Sequence, residues 1–118
     1  MKRDESYLQS LCESYLTMRH IPYLHLTTAI HRKVAGRFYT FPVPGMTDWP
    51  DLLIFMPGGK PQLVELKSAK GKLSAGQVRK FAELKKAGYP VGIIRDFEEF
   101  EFMIKGWNFN NVNRGEKP

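Results

Sequence analysis

The chain has 118 residues, 42% hydrophobic and 13% aromatic, the composition of one globular domain with a single core. No apolar run approaches the roughly 18 residues of a membrane helix. The charged, Ser-rich start does not read as a signal peptide, and the lone Cys12 excludes an internal disulfide and fits a reducing cytoplasm. Charge is more telling. The 18 Lys and Arg exceed the 12 Asp and Glu by +6, and Lys60 to Lys86 alone holds eight basic residues and two acids, so the whole excess lies there. A polyanion-binding face requires such a concentration, because phosphate neutralisation supplies most nonspecific nucleic-acid affinity. A solvated lysine-rich helix explains Lys85 and Lys86 well, but explains Lys67, Lys70 and Lys72 in a loop less well.

Asp4 to Arg19 reads as an amphipathic helix, with Tyr7, Leu8, Leu11, Cys12, Tyr15 and Leu16 at helical spacing, Asp4 as N-cap and Pro22 closing the segment. Cys12 falls among the apolar positions as a buried thiol. Glu5 in the first turn favours the helix macrodipole. Tyr23 to Thr28 alternates and suits a strand, in which His25 is a structural residue. His20, His25 and His31 have no zinc spacing, and Cys12 completes none. Ala29 to Gly45 joins a basic cluster (His31, Arg32, Lys33, Arg37) to an aromatic Phe38-Tyr39-Thr40-Phe41 run and the breakers Pro42, Pro44 and Gly45. It reads as a strand with a long loop, either contacting nucleic-acid backbone and bases or simply mobile.

Leu52 to Met56 and Gln62 to Leu66 are apolar runs joined by the turn residues Pro57 to Pro61, which predicts a β-hairpin. The start of one antiparallel strand lies beside the end of the next, so Asp51 meets Glu65. Alternation points Glu65 and Lys67 to one face and Leu66 into the core. A small basic loop with Lys70 and Lys72 leads into a helix from Ser74 to about Ala87. Ser74 and Gln77 form the S-x-x-Q capping box. Val78, Phe81, Ala82 and Leu84 face the core, leaving Arg79, Lys80 and Lys86 toward solvent or DNA, and Gly88 ends the helix. Tyr89 to Arg95 reads as a buried strand. Asp96 with Glu99 opens a last helix to about Lys105, whose acids form a solvated face. Gly106 to Pro118 reads as a loose polar tail that Trp107 and Phe109 pin to the body or a partner.

Two carboxylates a few ångströms apart raise each other's pKa unless a cation sits between them. A hard divalent cation suits that place, since Mg²⁺ takes one or two carboxylates plus water and substrate phosphate. Lys67 beside it would hold the attacking water or neutralise charge building on the phosphate. Metal-assisted phosphodiester hydrolysis is the sharper reading. The plainer one is a surface hairpin in which Asp51 caps a turn and Glu65 pairs with Lys67. The strand context and the basic loop favour the first.

Pro50-Asp51, then Glu65-Leu66-Lys67 after a hairpin, then Gly-Lys-Leu-Ser-Ala-Gly-Gln from Gly71 to Gln77, resembles the PD-(D/E)xK nuclease superfamily. Within it the chain is similar to the virus-type replication-repair nuclease (VRR-NUC) domain, found as small stand-alone proteins in phages and bacteria. The likeness runs from about Glu5 to Arg95 and is strongest from Gly45 to Gln77. It implies a restriction-endonuclease-like α/β core, a mixed β-sheet flanked by helices, in one domain over residues 1–118. It implies Mg²⁺ or Mn²⁺ held by Asp51 and Glu65, with the Leu66 carbonyl and an early helix carboxylate as further ligands. Glu5 matches that carboxylate best and Glu13 is the alternative. Lys67 and Gln77 would position water and the scissile phosphate, although the capping box alone also accounts for Gln77. Gly45 lies farther from Pro50-Asp51 than in the tightest family pattern, which makes Asp48 a second acidic candidate. The DNA contacts expected are Arg32, Lys33, Arg37, Lys70, Lys72, Arg79 and Lys80. The implied activity is an endonuclease acting on branched DNA, four-way (Holliday) junctions included, in a bacterial or phage-infected cell. The implied assembly is a homodimer, since two symmetric cuts need two sites about a twofold axis. A non-catalytic nucleic-acid-binding module would use the same basic face without needing Asp51, Glu65 and Lys67 together.

Overall fold

In a computed structural model, which describes residues 5–113, the two apolar runs pair as expected: β4 (Leu52–Phe55) lies antiparallel to β5 (Pro61–Leu66), with Leu52 opposite Val64. The strand β1 (Tyr23–His25) adds antiparallel to β4, and β6 (Val91–Ile94) adds parallel to β5, so the sheet is mixed in the order β1-β4-β5-β6. A parallel neighbour needs a crossover, and the helix α2 (Ala75–Lys86) supplies it.

Alternation along the strands divides the sheet into two faces. Leu52, Ile54, Val64 and Leu66 point to one of them. There they join Leu8, Cys12 and Leu16 of α1 (Glu5–Met18) and Phe100 and Ile104 of α3 (Phe97–Asn113) in the core. Leu53 and Leu63 point to the other face, under Leu84 of α2. This is the expected α/β architecture, a mixed sheet flanked by helices. No helix is long and apolar enough to cross a membrane among the described residues.

Several local expectations change. Val78 and Ala82 of α2, expected to face the core, are exposed, and Phe81 is buried. The helix α1 ends with His20 in the left-handed region (φ 58) and Ile21 N–H donating to the Leu16 carbonyl at 2.9 Å, a Schellman-type stop that uses His20 structurally. The expected N-cap, Asp4, lies outside the described residues. The strand expected over Tyr23 to Thr28 is three residues long. The stretch read as one strand and a long loop is a second antiparallel pair, β2 (Ala29–Val34) and β3 (Arg37–Pro42), forming its own two-stranded sheet. Ala35 (φ 51) and Gly36 (φ 82) make the two-residue turn whose positive φ angles match the strand twist. Finally, α3 continues through Gly106 to Asn113, where a loose tail was expected. Its start is the expected capping box, with Glu99 N–H donating to Asp96 Oδ1 at 2.8 Å and Asp96 N–H donating to Glu99 Oε1 at 3.2 Å. Residues 114–118 and the side chains of Trp107 and Phe109 lie outside the described residues.

Phe100 is fully buried, with its ring 6.0 Å from that of Tyr15. Phe100→Ala should cost about 3–5 kcal/mol, read as a lower urea midpoint at unchanged slope.

Candidate active site

Extending the β4–β5 register by one residue sets Asp51 across from Glu65. The ladder there changes character, because Leu66 N–H donates to Asp51 Oδ2 at 2.7 Å, so a side chain continues what the β4 backbone began. In an extended strand the N–H and C=O of one residue point to the same edge. The Leu66 carbonyl therefore faces the Asp51 side, while the next residue, Lys67, donates its N–H to Ile94 on the opposite side at 3.0 Å.

Glu65 is 4% exposed. Its Oε2 receives two partners, the Gln77 amide (Nε2, 3.1 Å) and the Lys67 ammonium (3.5 Å). Its Oε1 is buried and has no hydrogen-bond partner. Burial first, and the Asp51 carboxylate second, push Glu65 up to about 7, against the opposing pull of Lys67 and Gln77. Burial also raises Asp51, against the Leu66 N–H and the hydrogen bond that a protonated Glu65 would donate to it; the charge of Glu5 adds to the rise and that of His25 opposes it. The pair thus takes up a proton more readily than isolated carboxylates do, as acids respond when their charge is buried and incompletely offset. An orphaned carboxylate oxygen beside a second carboxylate and a carbonyl is an all-oxygen donor set, which fits a hard divalent cation.

The remaining candidates separate by position. Glu5 stands exposed in the first turn of α1, near enough to act on Asp51 by charge. No group of three or more His, Cys, Asp or Glu side chains gathers as a metal site among the described residues. Glu13, the alternative helix carboxylate, is engaged elsewhere, by the Tyr23 hydroxyl (2.8 Å) and the Gln9 amide (2.7 Å). Asp48 has φ 69 and turns its carboxylate onto Gly76 at the start of α2, where an added Cβ would collide with it. Asp48 is absent from the charges acting on Asp51 and Glu65. It therefore sits at a helix N-terminus, where a negative charge is favourable.

Gln77 uses both ends of its amide. Its Oε1 accepts the Ser74 N–H at 3.0 Å and closes the capping box, while its Nε2 reaches Glu65. The helix start therefore fixes the amide that touches the carboxylate. Of the basic candidates, Lys70, Lys72 and Arg79 are exposed near the site, and Arg32, Lys33 and Arg37 are exposed on the β2–β3 hairpin. Lys80 is the exception, lying 5.2 Å over the Trp49 ring and 3.5 Å from Glu83.

Arg95 was not among the sequence candidates. Its guanidinium donates to the carbonyls of Ser68 (2.8 Å) and Gly71 (2.6 Å) and so ties down the loop that carries Lys70. The parallel pairing of Leu66 with Ile94 places Arg95 beside Lys67, a neighbourhood visible only once β5 and β6 are known to be adjacent.

Comparison with known proteins agrees with this geometry. The VRR-NUC domain family matches residues 45–96, the segment holding Asp51, Glu65, Lys67 and Gln77. The "Putative nuclease p44" of Acyrthosiphon pisum secondary endosymbiont phage 1 is 33% identical over 84 residues, covering 71% of this chain and 88% of that protein. A solved VRR-NUC domain structure superposes with a TM-score of 0.60 at 22% identity, over 86% of this chain and 94% of that one, which shows the shared fold.

The raised Glu65 has a stability consequence. The folded protein holds the Glu65 proton more tightly than the unfolded chain does, so stability falls as pH rises from about 4.5 to about 7. Without divalent metal the urea midpoint should drop across that window. Glu65→Gln should flatten the drop, and added Mg²⁺ should restore the wild-type midpoint at pH 7.

Proposed function

Because the chain belongs to the VRR-NUC domain family, and so carries a nuclease domain, we propose that it is a divalent-metal-dependent DNA endonuclease hydrolysing phosphodiester bonds. The observation that carries this reading is the unpartnered Glu65 Oε1, buried opposite Asp51, with Lys67 and Gln77 both on the other oxygen. A purely structural Glu65–Lys67 pair would be expected to satisfy both buried oxygens.

Asp51, Glu65 and the Leu66 carbonyl would hold Mg²⁺ or Mn²⁺, with Glu5 as the outermost carboxylate. Such an ion, when bound, supplies positive charge at the phosphate and a water of lowered pKa. The protein's own groups do the rest. The Leu66 N–H fixes the Asp51 carboxylate in place. Lys67, whose side chain is 14% exposed, holds its ammonium at the mouth of the site, where it orients the attacking water and offsets charge developing on the phosphate oxygens. Gln77 keeps Glu65 from turning and presents an amide toward the same space. Lys70, Lys72 and Arg79 take the flanking phosphates.

The substrate in this proposal is branched DNA, four-way junctions included, cut by a homodimer. The support is the resemblance and the economy of two sites about a twofold axis.

With Mg²⁺ or Mn²⁺ the protein should cut a labelled four-way junction in preference to a matched linear duplex. Glu65→Gln, Asp51→Asn and Lys67→Ala should each lower the rate by roughly 100-fold or more while binding persists. Binding without cutting under either metal would leave a non-catalytic binding module, and equal cutting of both substrates would remove the junction preference. Lys70→Ala and Lys72→Ala should weaken binding to all sequences alike, each reducing the salt slope by about 1.

A further inference from the structure

Every residue from Ile30 to Pro42 is exposed, so the β2–β3 ribbon covers neither of its faces with the rest of the domain. A lone two-stranded hairpin is marginal in water, and this one carries five exposed large apolar side chains. Phe38, beside the turn, is 79% exposed. The pairing shows what each face offers. Arg32 opposite Tyr39, Ile30 opposite Phe41 and Val34 opposite Arg37 share one face, with the Tyr39 and Phe41 rings 6.1 Å apart. Lys33 opposite Phe38 and His31 opposite Thr40 share the other, with the Lys33 ammonium 5.5 Å over the Phe38 ring. Both faces combine cations with flat apolar surface.

The occupant follows from charge and attachment. No Asp or Glu occurs from Ser14 to Thr47, so two such ribbons side by side would oppose only like charges. A phosphate backbone neutralises the same charges. The ribbon is rooted beside the catalytic strand. Leu26 N–H donates to the Asp51 carbonyl at 2.7 Å, and Val43 N–H donates to the Thr28 carbonyl at 3.0 Å where the ribbon returns. Six-residue strands reach about 20 Å, roughly six base pairs of duplex at the rise of one strand, and a two-stranded ribbon fits a major groove.

We propose that the β2–β3 ribbon is a nucleic-acid arm that lies in the groove of duplex flanking the cleaved bond, with Phe38 at its tip stacking on an exposed base. The proposal rests on the nuclease reading for the site at its root. It makes Phe38 a determinant of preference for DNA with open base faces over continuous duplex.

The test is DNA affinity of the full chain with divalent metal chelated, so that cleavage has no bearing on the readout. Wild type, Phe38→Ala and Phe38→Trp are titrated with a four-way junction, whose open centre exposes base faces, and with a matched linear duplex. Phe38→Ala should weaken junction binding on the order of 10-fold and duplex binding far less, and Phe38→Trp should restore it. Arg32→Ala with Arg37→Ala should weaken both and lower the salt slope by about 2. Unchanged affinity in all these variants would overturn the proposal. So would a change of sedimenting mass in Phe38→Ala with DNA affinity unaltered, which would assign the arm to a second copy. Wild type that binds neither DNA would overturn it as well. Loss of cleavage under every metal with these binding differences intact would sink the nuclease reading alone. Normal metal-dependent cleavage with unaltered arm-variant binding would sink the arm alone.

Discussion

The hydrogen bond from Leu66 N–H to the Asp51 carboxylate is the constraint on which the site depends. It sits where the β4–β5 ladder runs out, and it turns a strand end into a fixed carboxylate. Because the bond spans two adjacent strands, Asp51 cannot move without disturbing their register, and that register sets Glu65 opposite it. Side-chain alternation then puts Lys67 on the same face, next to Glu65. A slip of β5 by one residue would send Glu65 and Lys67 to the apolar face occupied by α1 and α3. The core residues Leu52, Ile54, Val64 and Leu66 prevent that slip by being buried.

The second layer of control comes from α2. Its first turn is held by the Ser74–Gln77 capping box and by the Asp48 carboxylate against Gly76, and further along Lys80 lies over Trp49. These contacts join the segment before Asp51 to the helix after Lys67, so the Gln77 amide is placed from both sides. Arg95 does the same for the intervening loop. The surroundings are thus well tied, while the centre retains an unpartnered buried oxygen and two raised carboxylates. A partly satisfied polar cluster destabilises a fold, and such local cost is concentrated at functional sites.

Much of this was legible because the governing periods are short. The β4–β5 hairpin follows from two apolar runs and a Pro/Gly turn, and the capping boxes at Ser74 and Asp96 follow from residue type and spacing alone. The convergence of Asp51, Glu65 and Lys67 needs only strand pairing and alternation. Features that depend on less common backbone or on long-range adjacency were not legible. The β2–β3 turn uses Ala35 at a positive φ, where Asn or Gly would have announced it. Asp48 stood as a second acidic candidate because Gly45 lies farther from Pro50-Asp51 than in the family pattern, and its left-handed backbone places its carboxylate against Gly76. That Tyr23 and Gln9 engage both oxygens of Glu13, the alternative to Glu5, could not be read from spacing along the helix. Arg95 required knowing that β6 lies beside β5. The end of α3 was hidden by Gly106 and the Asn residues after it, whose weak helix propensity did not stop the helix.

The central claim is that the Asp51–Glu65 pair is the seat of a divalent cation. Manganese titration followed by the electron paramagnetic resonance of the free ion tests it without reference to any substrate. The account predicts Mn²⁺ uptake at pH 7 that is strongly weakened in Glu65→Gln and in Asp51→Asn, with both variants folded. Equal uptake in wild type and in both variants, or none in wild type, would contradict it.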